Sequence, residues 1–66
     1  MSVVSAQYIR DPVGNQTTTS RTVLDDNSVW FVSTDGGTPP RVLSLGKAGA
    51  ALQAWIEAGN TISSAA

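Results

Sequence analysis

The chain has 66 residues, 41% of them hydrophobic, which allows one small globular domain and excludes both a larger architecture and a disordered chain. Four Lys and Arg residues stand against five Asp and Glu residues, a formal net charge of −1, which argues against nucleic acid or an anionic membrane as the main partner. The absence of cysteine and histidine excludes disulfides and thiol catalysis and removes the usual general base and the commonest metal ligand.

The first predicted strand is Val3–Arg10, an alternating run of apolar and polar residues. The alternation places Val4, Ala6 and Tyr8 on one face of this strand. It places the remaining residues on the opposite face, namely Val3, Ser5, Gln7 and Ile9. Residues 11–15 follow as a loop, because Asp, Pro, Gly and Asn are the residues that form turns. The opening residues of the chain have no basic segment before a long apolar run, so no signal peptide is predicted.

The second and third predicted strands are Gln16–Leu24, which is rich in threonine, and residues 28–33, which contain the run Val-Trp-Phe-Val. A two-residue turn at Asp26-Asn27 would join them. The predicted cross-strand pairs are Leu24 with Val29, Val23 with Trp30, and Thr22 with Phe31. In this register Phe31 shares a face with Thr22, whereas Trp30 lies on the opposite face with Arg21, Val23 and Val32.

A loop over residues 33–40 is followed by residues 41–43, which form either a short edge strand or an extended lead-in. Ser44 is the predicted N-cap of a helix over about residues 45–58. Its apolar stripe consists of Leu45, Ala48, Leu52, Trp55 and Ile56. Gly59 suits a left-handed C-cap, from which Ile62 would fold back toward Trp55.

These elements predict an α+β fold: a three-stranded antiparallel β-meander, with or without a short fourth edge strand, followed by one C-terminal helix. The predicted domain covers residues 1–62, and residues 63–66 are a predicted frayed tail. A single helix covers one face of such a sheet, so the other face is expected to need a partner surface.

No nucleotide or metal site is predicted. A phosphate loop needs a Gly five positions before Gly46-Lys47 and a Ser or Thr after it, and those places hold Arg41 and Ala48. The aspartates Asp25, Asp26 and Asp35 lack the alternating ligands and closing Glu of a calcium loop, so they are interpreted as turn residues. We therefore expect no cofactor and no bound metal.

Catalysis is not predicted either. The many Ser and Thr residues have no histidine to activate them, and no Ser-x-x-Lys pattern precedes Lys47. The sequence therefore predicts a protein that is not an enzyme, with no catalytic residue and no small-molecule substrate.

The four aromatic residues are spread over the first strand, the third strand and the helix, as core residues usually are. Trp30 is the exception in the predicted register, because it faces away from Phe31 and only one of the two can meet the helix. An exposed Trp flanked by Val and Arg is typical of an interface anchor. The predicted partner-binding residues are Trp30, Val32, Arg21 and Val23. Both sheet faces carry apolar residues, so if the helix covers the Trp30 face instead, the interface is expected at Phe31.

Two segments resemble a family of small bacteriophage and prophage proteins. The run Tyr8-Ile9-Arg10-Asp11-Pro12-Val13-Gly14 is similar to the family's opening strand and Asp-Pro-x-Gly turn. The run Ala54-Trp55-Ile56-Glu57-Ala58-Gly59-Asn60-Thr61-Ile62 resembles its closing segment. A polar strand, an acidic turn and an aromatic strand lie between them in the same order. Residues 36–41 replace the Pro and Asn-Arg-aromatic stretch that members usually carry before the helix.

The resemblance implies a virion or assembly component that binds capsid, connector or tail proteins, or copies of itself, through an apolar sheet face and its strand edges. The alternative hypothesis is a phage-encoded inhibitor that occludes a host enzyme or defence complex in the host cytoplasm. A DNA-binding regulator ranks last, because the predicted helix carries one Lys and one Glu rather than a basic face.

Overall fold

The computed structural model describes residues 2–44 and 46–66. Its elements are β1 (Val3–Arg10), β2 (Gln16–Leu24), β3 (Val29–Ser33) and α1 (Lys47–Glu57). The strands form one antiparallel sheet in the order β1-β2-β3, and α1 packs against one side of it, which we call the helix face. The predicted α+β meander with a C-terminal helix is confirmed.

A β-bulge near the start of β1 changes which residues face α1. Val3 pairs with Leu24 and Ser5 pairs with Val23, so Val4 is an extra residue without a direct partner. Val3 and Ala6 are consequently both buried on the helix face, whereas Val4 is 64% exposed. The predicted strict alternation, with Val4 beside Ala6 and Val3 opposite, is wrong at this point.

The hairpin between β2 and β3 has a three-residue loop rather than the predicted two-residue turn. The N–H of Leu24 donates to the carbonyl of Ser28 at 2.9 Å, and the N–H of Asn27 donates to Leu24 at 3.0 Å. Asn27 has a φ of 68°, in the left-handed region that Asn tolerates better than most residues. This is the hairpin geometry in which a type I turn is followed by a left-handed residue.

The longer loop shifts the register of β3 by one residue. The observed pairs are Val23 with Val29, Thr22 with Trp30, and Arg21 with Phe31, so the predicted register is wrong. Because side chains alternate between the faces of a sheet, a shift of one residue exchanges the faces of the whole strand. Trp30 and Val32 therefore lie on the helix face, and Phe31 lies on the opposite, open face.

The core lies between the helix face and α1. Its buried apolar residues are Val3, Ala6, Leu24, Val32, Val42, Ala48, Leu52, Ile56 and Ile62. The central strand adds buried hydroxyl groups rather than further apolar side chains. Ser20 and Thr22 share a hydrogen bond of 3.1 Å, so neither hydroxyl is buried without a partner.

The helix begins two residues later than predicted. Its N-cap is Gly46, with no capping side chain, so the predicted cap at Ser44 is wrong. In the segment before α1, the Ser44 carbonyl instead packs against Gly49. Position 49 therefore has no room for a side chain. Ala48, Leu52 and Ile56 of the predicted stripe are buried, while Leu45 lies outside the described residues.

The end of α1 agrees with the prediction. The N–H of Gly59 donates to Ile56 at 3.0 Å, and that of Asn60 donates to Trp55 at 3.4 Å, which is the Schellman pattern. Gly59 has the required positive φ of 101°. The chain then turns back, and Ile62 enters the core.

Residues 63–66, predicted to be a frayed tail, are hydrogen-bonded along the outer edge of β1. The N–H of Ser63 donates to Ala6 at 3.0 Å, and its carbonyl accepts from Tyr8 at 2.9 Å. The side chain of Arg10 donates to the last carbonyl of the chain at 2.7 Å. No helix within residues 2–44 and 46–66 is long and apolar enough to cross a membrane.

Residues 41–43 lie beside the end of β3. Val42 forms a single antiparallel bridge with Thr34, and the N–H of Leu43 donates to the carbonyl of Ser33 at 3.0 Å. This pairing is an isolated bridge and not a fourth strand.

The loop that precedes this bridge is held by Asp35. One oxygen of its carboxylate accepts from the backbone N–H of Arg41 and from that of Gly37, both at 2.9 Å. These hydrogen bonds lower the pKa of Asp35, and the one from the Arg41 N–H has the largest effect.

Gly49→Ala is expected to lower the free energy of unfolding by about 1–3 kcal/mol, because the new Cβ would lie 1.7 Å from the Ser44 carbonyl oxygen. At an open helical site the same change would stabilise by about 1 kcal/mol. Urea denaturation measures the difference. Gly46→Ala is the control, since nothing lies within 4 Å of its new Cβ. A Gly49→Ala variant as stable as the wild type would contradict the close approach.

Asp35→Ala is expected to lower the melting temperature more at pH 7 than at pH 2. A lowered folded-state pKa stabilises the fold above the usual aspartate pKa, and this contribution is lost as the pH falls below about 4. Calorimetry at the two pH values measures the difference. Thr38→Ala, in the same loop but without a titratable group, should show no such pH dependence, and equal losses for Asp35→Ala at both pH values would contradict the prediction.

Candidate functional site: the open sheet face and the outer edge of β3

The open face of the sheet carries a group of exposed apolar side chains. Phe31 is 65% exposed and Val29 is 42% exposed, and they are neighbours on one side of β3. Leu43, 64% exposed, lies opposite Ser33 and therefore on the same side as Phe31. Val23, the half-buried partner of Val29, extends the group into β2. We call Val23, Val29, Phe31 and Leu43 the open patch.

Polar residues border the open patch on β1 and β2. Arg21 pairs with Phe31 across the sheet, and Gln7 pairs with Arg21 one strand further on. Arg21 is exposed and is the direct cross-strand neighbour of Phe31. An apolar centre with an arginine and polar groups at its rim is the composition of a protein–protein interface.

Trp30 lies on the other side of β3 and is anchored to the hairpin loop. It is 44% exposed, and its indole N–H donates to the Ser28 hydroxyl at 2.8 Å. That hydroxyl in turn donates to the carboxylate of Asp26, which also accepts the Ser28 backbone N–H at 3.0 Å. The two hydrogen bonds from Ser28 lower the pKa of Asp26, and the one from the side-chain hydroxyl has the larger effect. The indole ring is thus held at the rim of the helix face.

The four predicted partner-binding residues do not share a face. Trp30 and Val32 lie on the helix face, and Arg21 and Val23 lie on the open face. Val32 is only 4% exposed, so it belongs to the core. The prediction that these four form one surface is wrong, because the register on which it depends is shifted by one residue.

Sequence reasoning held Phe31 only as the alternative to Trp30, and it did not identify Val29 and Leu43 as surface residues. The signal that identifies them is the triplet Asp25-Asp26-Asn27: an Asn at the third loop position favours the left-handed conformation of a three-residue hairpin. A hairpin built with that loop gives the observed register and exposes Phe31.

The outer edge of β3 has backbone groups that β2 does not use. In an antiparallel pair, alternate residues direct both N–H and C=O to the partner strand. The hydrogen bonds of Leu24 to Ser28 and of Thr34 to Thr18 show that even-numbered residues of β3 bond to β2. The backbone groups of Val29 and Phe31 therefore point outward, and no residue in the described part of the chain bonds to them.

A separate concave feature lies beside the end of α1 and the loop before it. A cavity of about 580 Å³ is bordered by Tyr8, Ile56, Ile62 and residues 36–40 and 59–61. Its lining among the described residues is largely apolar and has no carboxylate, lysine or arginine. Within residues 2–44 and 46–66 there is also no cluster of three or more His, Cys, Asp or Glu that could hold a metal ion.

No protein-family model matches the chain, and comparisons with curated proteins and with solved structures give no match. The candidate site therefore stands on its own geometry.

Phe31→Ser is expected to change the free energy of unfolding by less than about 1 kcal/mol, because the ring lies mainly in water. Trp30→Ala is expected to cost about 1–3 kcal/mol, because it removes a half-buried ring and the hydrogen bond to Ser28. Urea denaturation followed by far-UV circular dichroism compares the two variants on the same signal. A Phe31→Ser variant that unfolds, beside a stable Trp30→Ala variant, would mean that the two faces are assigned the wrong way round.

Proposed function

We propose that this chain is a non-catalytic protein-binding component of a phage particle that docks on another virion protein, in the capsid, connector or tail, through the open patch. The observation that carries the proposal is the exposure of Phe31, 65%, in a patch with Val29 and Leu43 on the sheet face that α1 does not cover. The phage setting is supported by the resemblance of residues 8–14 and 54–62 to phage proteins.

The mechanism of docking is surface burial. Complete burial of a Phe side chain contributes about 1.5–3 kcal/mol, so the exposed part of Phe31 can contribute about 1–2 kcal/mol to binding. Val29 and Leu43 add smaller amounts of the same kind. Arg21 is exposed at the rim, across the sheet from Phe31. Its positive charge can contribute to the selectivity and the orientation of binding.

The small size of the domain fits this role. A chain of 66 residues buries a limited core, so binding to a larger assembly adds to its stability. The near balance of charge, a net of −1, leaves the apolar contact as the main attraction to a partner.

The test is the copy number of the chain in purified phage particles, measured by quantitative mass spectrometry for the wild type and for Phe31→Ser. We expect a fixed copy number for the wild type and about a tenfold lower occupancy for the variant at limiting expression, because 1.4 kcal/mol corresponds to a factor of ten in affinity.

Val13→Ser is the matched control, since Val13 is 84% exposed but lies in the loop between β1 and β2, away from the patch. Its occupancy should equal that of the wild type. Equal occupancy for Phe31→Ser would overturn the assignment of the surface. Absence of the wild-type chain from particles, with abundant expression in infected cells, would overturn the virion role in favour of an inhibitor of a host protein.

A further inference from the structure

Arg21 is the only charged residue in β2 and β3. It is exposed and lies on the open face of the sheet. Its neighbours on this face are Thr19 and Val23 along β2, and Gln7 and Phe31 across the sheet. None of these four side chains is acidic. The positive charge of Arg21 therefore has no counter-charge among the residues that surround it on the sheet.

The other basic residues interact with groups of the fold. The side chain of Arg10 donates to two backbone carbonyls, both at 2.7 Å. The charge of Arg41 acts on the carboxylate of Asp35, and that of Lys47 acts on an aspartate of the hairpin loop. Within residues 2–44 and 46–66, by contrast, the guanidinium of Arg21 forms no hydrogen bond and no ion pair. It is the cation that the fold itself does not use.

A surface that covers Phe31 also covers Arg21. The two residues form a pair without hydrogen bonds between them, because the even-numbered residues of β3 make the bonds to β2. In such pairs the side chains are closest, with Cα atoms about 4.5 Å apart. A partner that removes the Phe31 ring from water therefore also removes water from the Arg21 guanidinium. This loss of hydration opposes binding unless the partner supplies a hydrogen-bond acceptor.

We infer that the protein that docks on the open patch presents an Asp or Glu carboxylate to Arg21, beside the apolar surface that covers Phe31. The inference rests on the proposed function, because it names the chemistry of the partner at the same surface. The planar guanidinium can donate two parallel hydrogen bonds to a carboxylate, and this geometry fixes the orientation of the partner.

A carboxylate fits this face better than the phosphates of a nucleic acid or a membrane. Binding to such a polyanion requires several clustered Lys and Arg residues. β2 and β3 together carry one basic residue, and the whole chain has a net charge of −1. One carboxylate within an apolar surface neutralises the single charge and brings no further anion that would need a partner.

Carbodiimide cross-linking of the Arg21→Lys variant tests for the carboxylate. The reagent activates a carboxyl group, which then forms an amide bond with an amine that is in contact with it. The variant keeps the positive charge and provides a primary amine at position 21. In purified phage particles and in lysates of infected cells, we expect mass spectrometry to find position 21 joined to one defined Asp or Glu of another protein.

Val13→Lys is the matched control for the cross-link, since Val13 is 84% exposed but lies in the loop between β1 and β2. Links at position 13, and links at Lys47 in the wild type, measure the non-specific reaction. The link at position 21 should be lost when Phe31→Ser is added to the variant, because the carboxylate belongs to the protein bound at the open patch. No link at position 21 in either sample, or equal yields at positions 13 and 21, would overturn the inference.

The salt dependence of particle occupancy tests the charge of the natural side chain. Arg21→Gln removes the charge and should lower the occupancy at least about tenfold, because the carboxylate of the partner is then left unpaired. Wild-type occupancy should fall as NaCl is raised from about 0.05 to 0.5 M, because salt screens the ion pair. The occupancy of Arg21→Gln should not change with salt. Far-UV circular dichroism checks that both variants are folded, and an equal salt response of the wild type and Arg21→Gln would contradict the inference.

These assays distinguish the inference from the docking role. If Phe31→Ser is lost from particles while Arg21→Gln is retained and position 21 gives no cross-link, the docking role stands and the carboxylate is excluded. If the chain is absent from particles but position 21 is linked to an Asp or Glu of a host protein, the carboxylate is supported and the virion role fails.

Discussion

The left-handed conformation of Asn27 is the constraint on which the arrangement of the sheet depends. It allows a three-residue loop between β2 and β3, and this loop sets the register of the hairpin. The register decides that Val32 enters the core while Phe31 faces water. One residue fewer in the loop would exchange those roles, so a single backbone conformation distinguishes the core from the candidate binding surface.

The fold was predictable from the sequence where local signals are strong. The alternating residues of β1 and the threonine-rich run of β2 each predicted a strand. The glycine after α1 predicted the end of the helix. Each of these signals depends on only a few neighbouring residues. The start of α1 was not predictable, because the N-cap depends on a tertiary contact between the Ser44 carbonyl and Gly49 that outweighs the local preference for Ser. The bulge at Val4 is likewise imposed by pairing with β2.

The candidate site was only partly predictable. That one sheet face would remain open followed from having a single helix, and Arg21 and Val23 do lie on that face. Its aromatic residue was misassigned, because Trp30 and Phe31 are adjacent and equally suited to either face. The register alone decides which of the two faces α1. The buried residues Ser20 and Thr22 of β2 are polar, so the hydrophobic pattern of β2 does not indicate which face is covered by the helix.

The hydrogen bonds of Ser63 along β1 limit how far the sheet can grow. They occupy the outer edge of β1 at Ala6 and Tyr8, so no further strand can pair with β1 at these two residues. An unpaired edge strand is a site where another chain can add, and pairing within the same chain removes that site. Residues 63–66 thus protect the β1 edge from the addition of a foreign strand, which is a structural role for a segment that its composition alone marks as a tail.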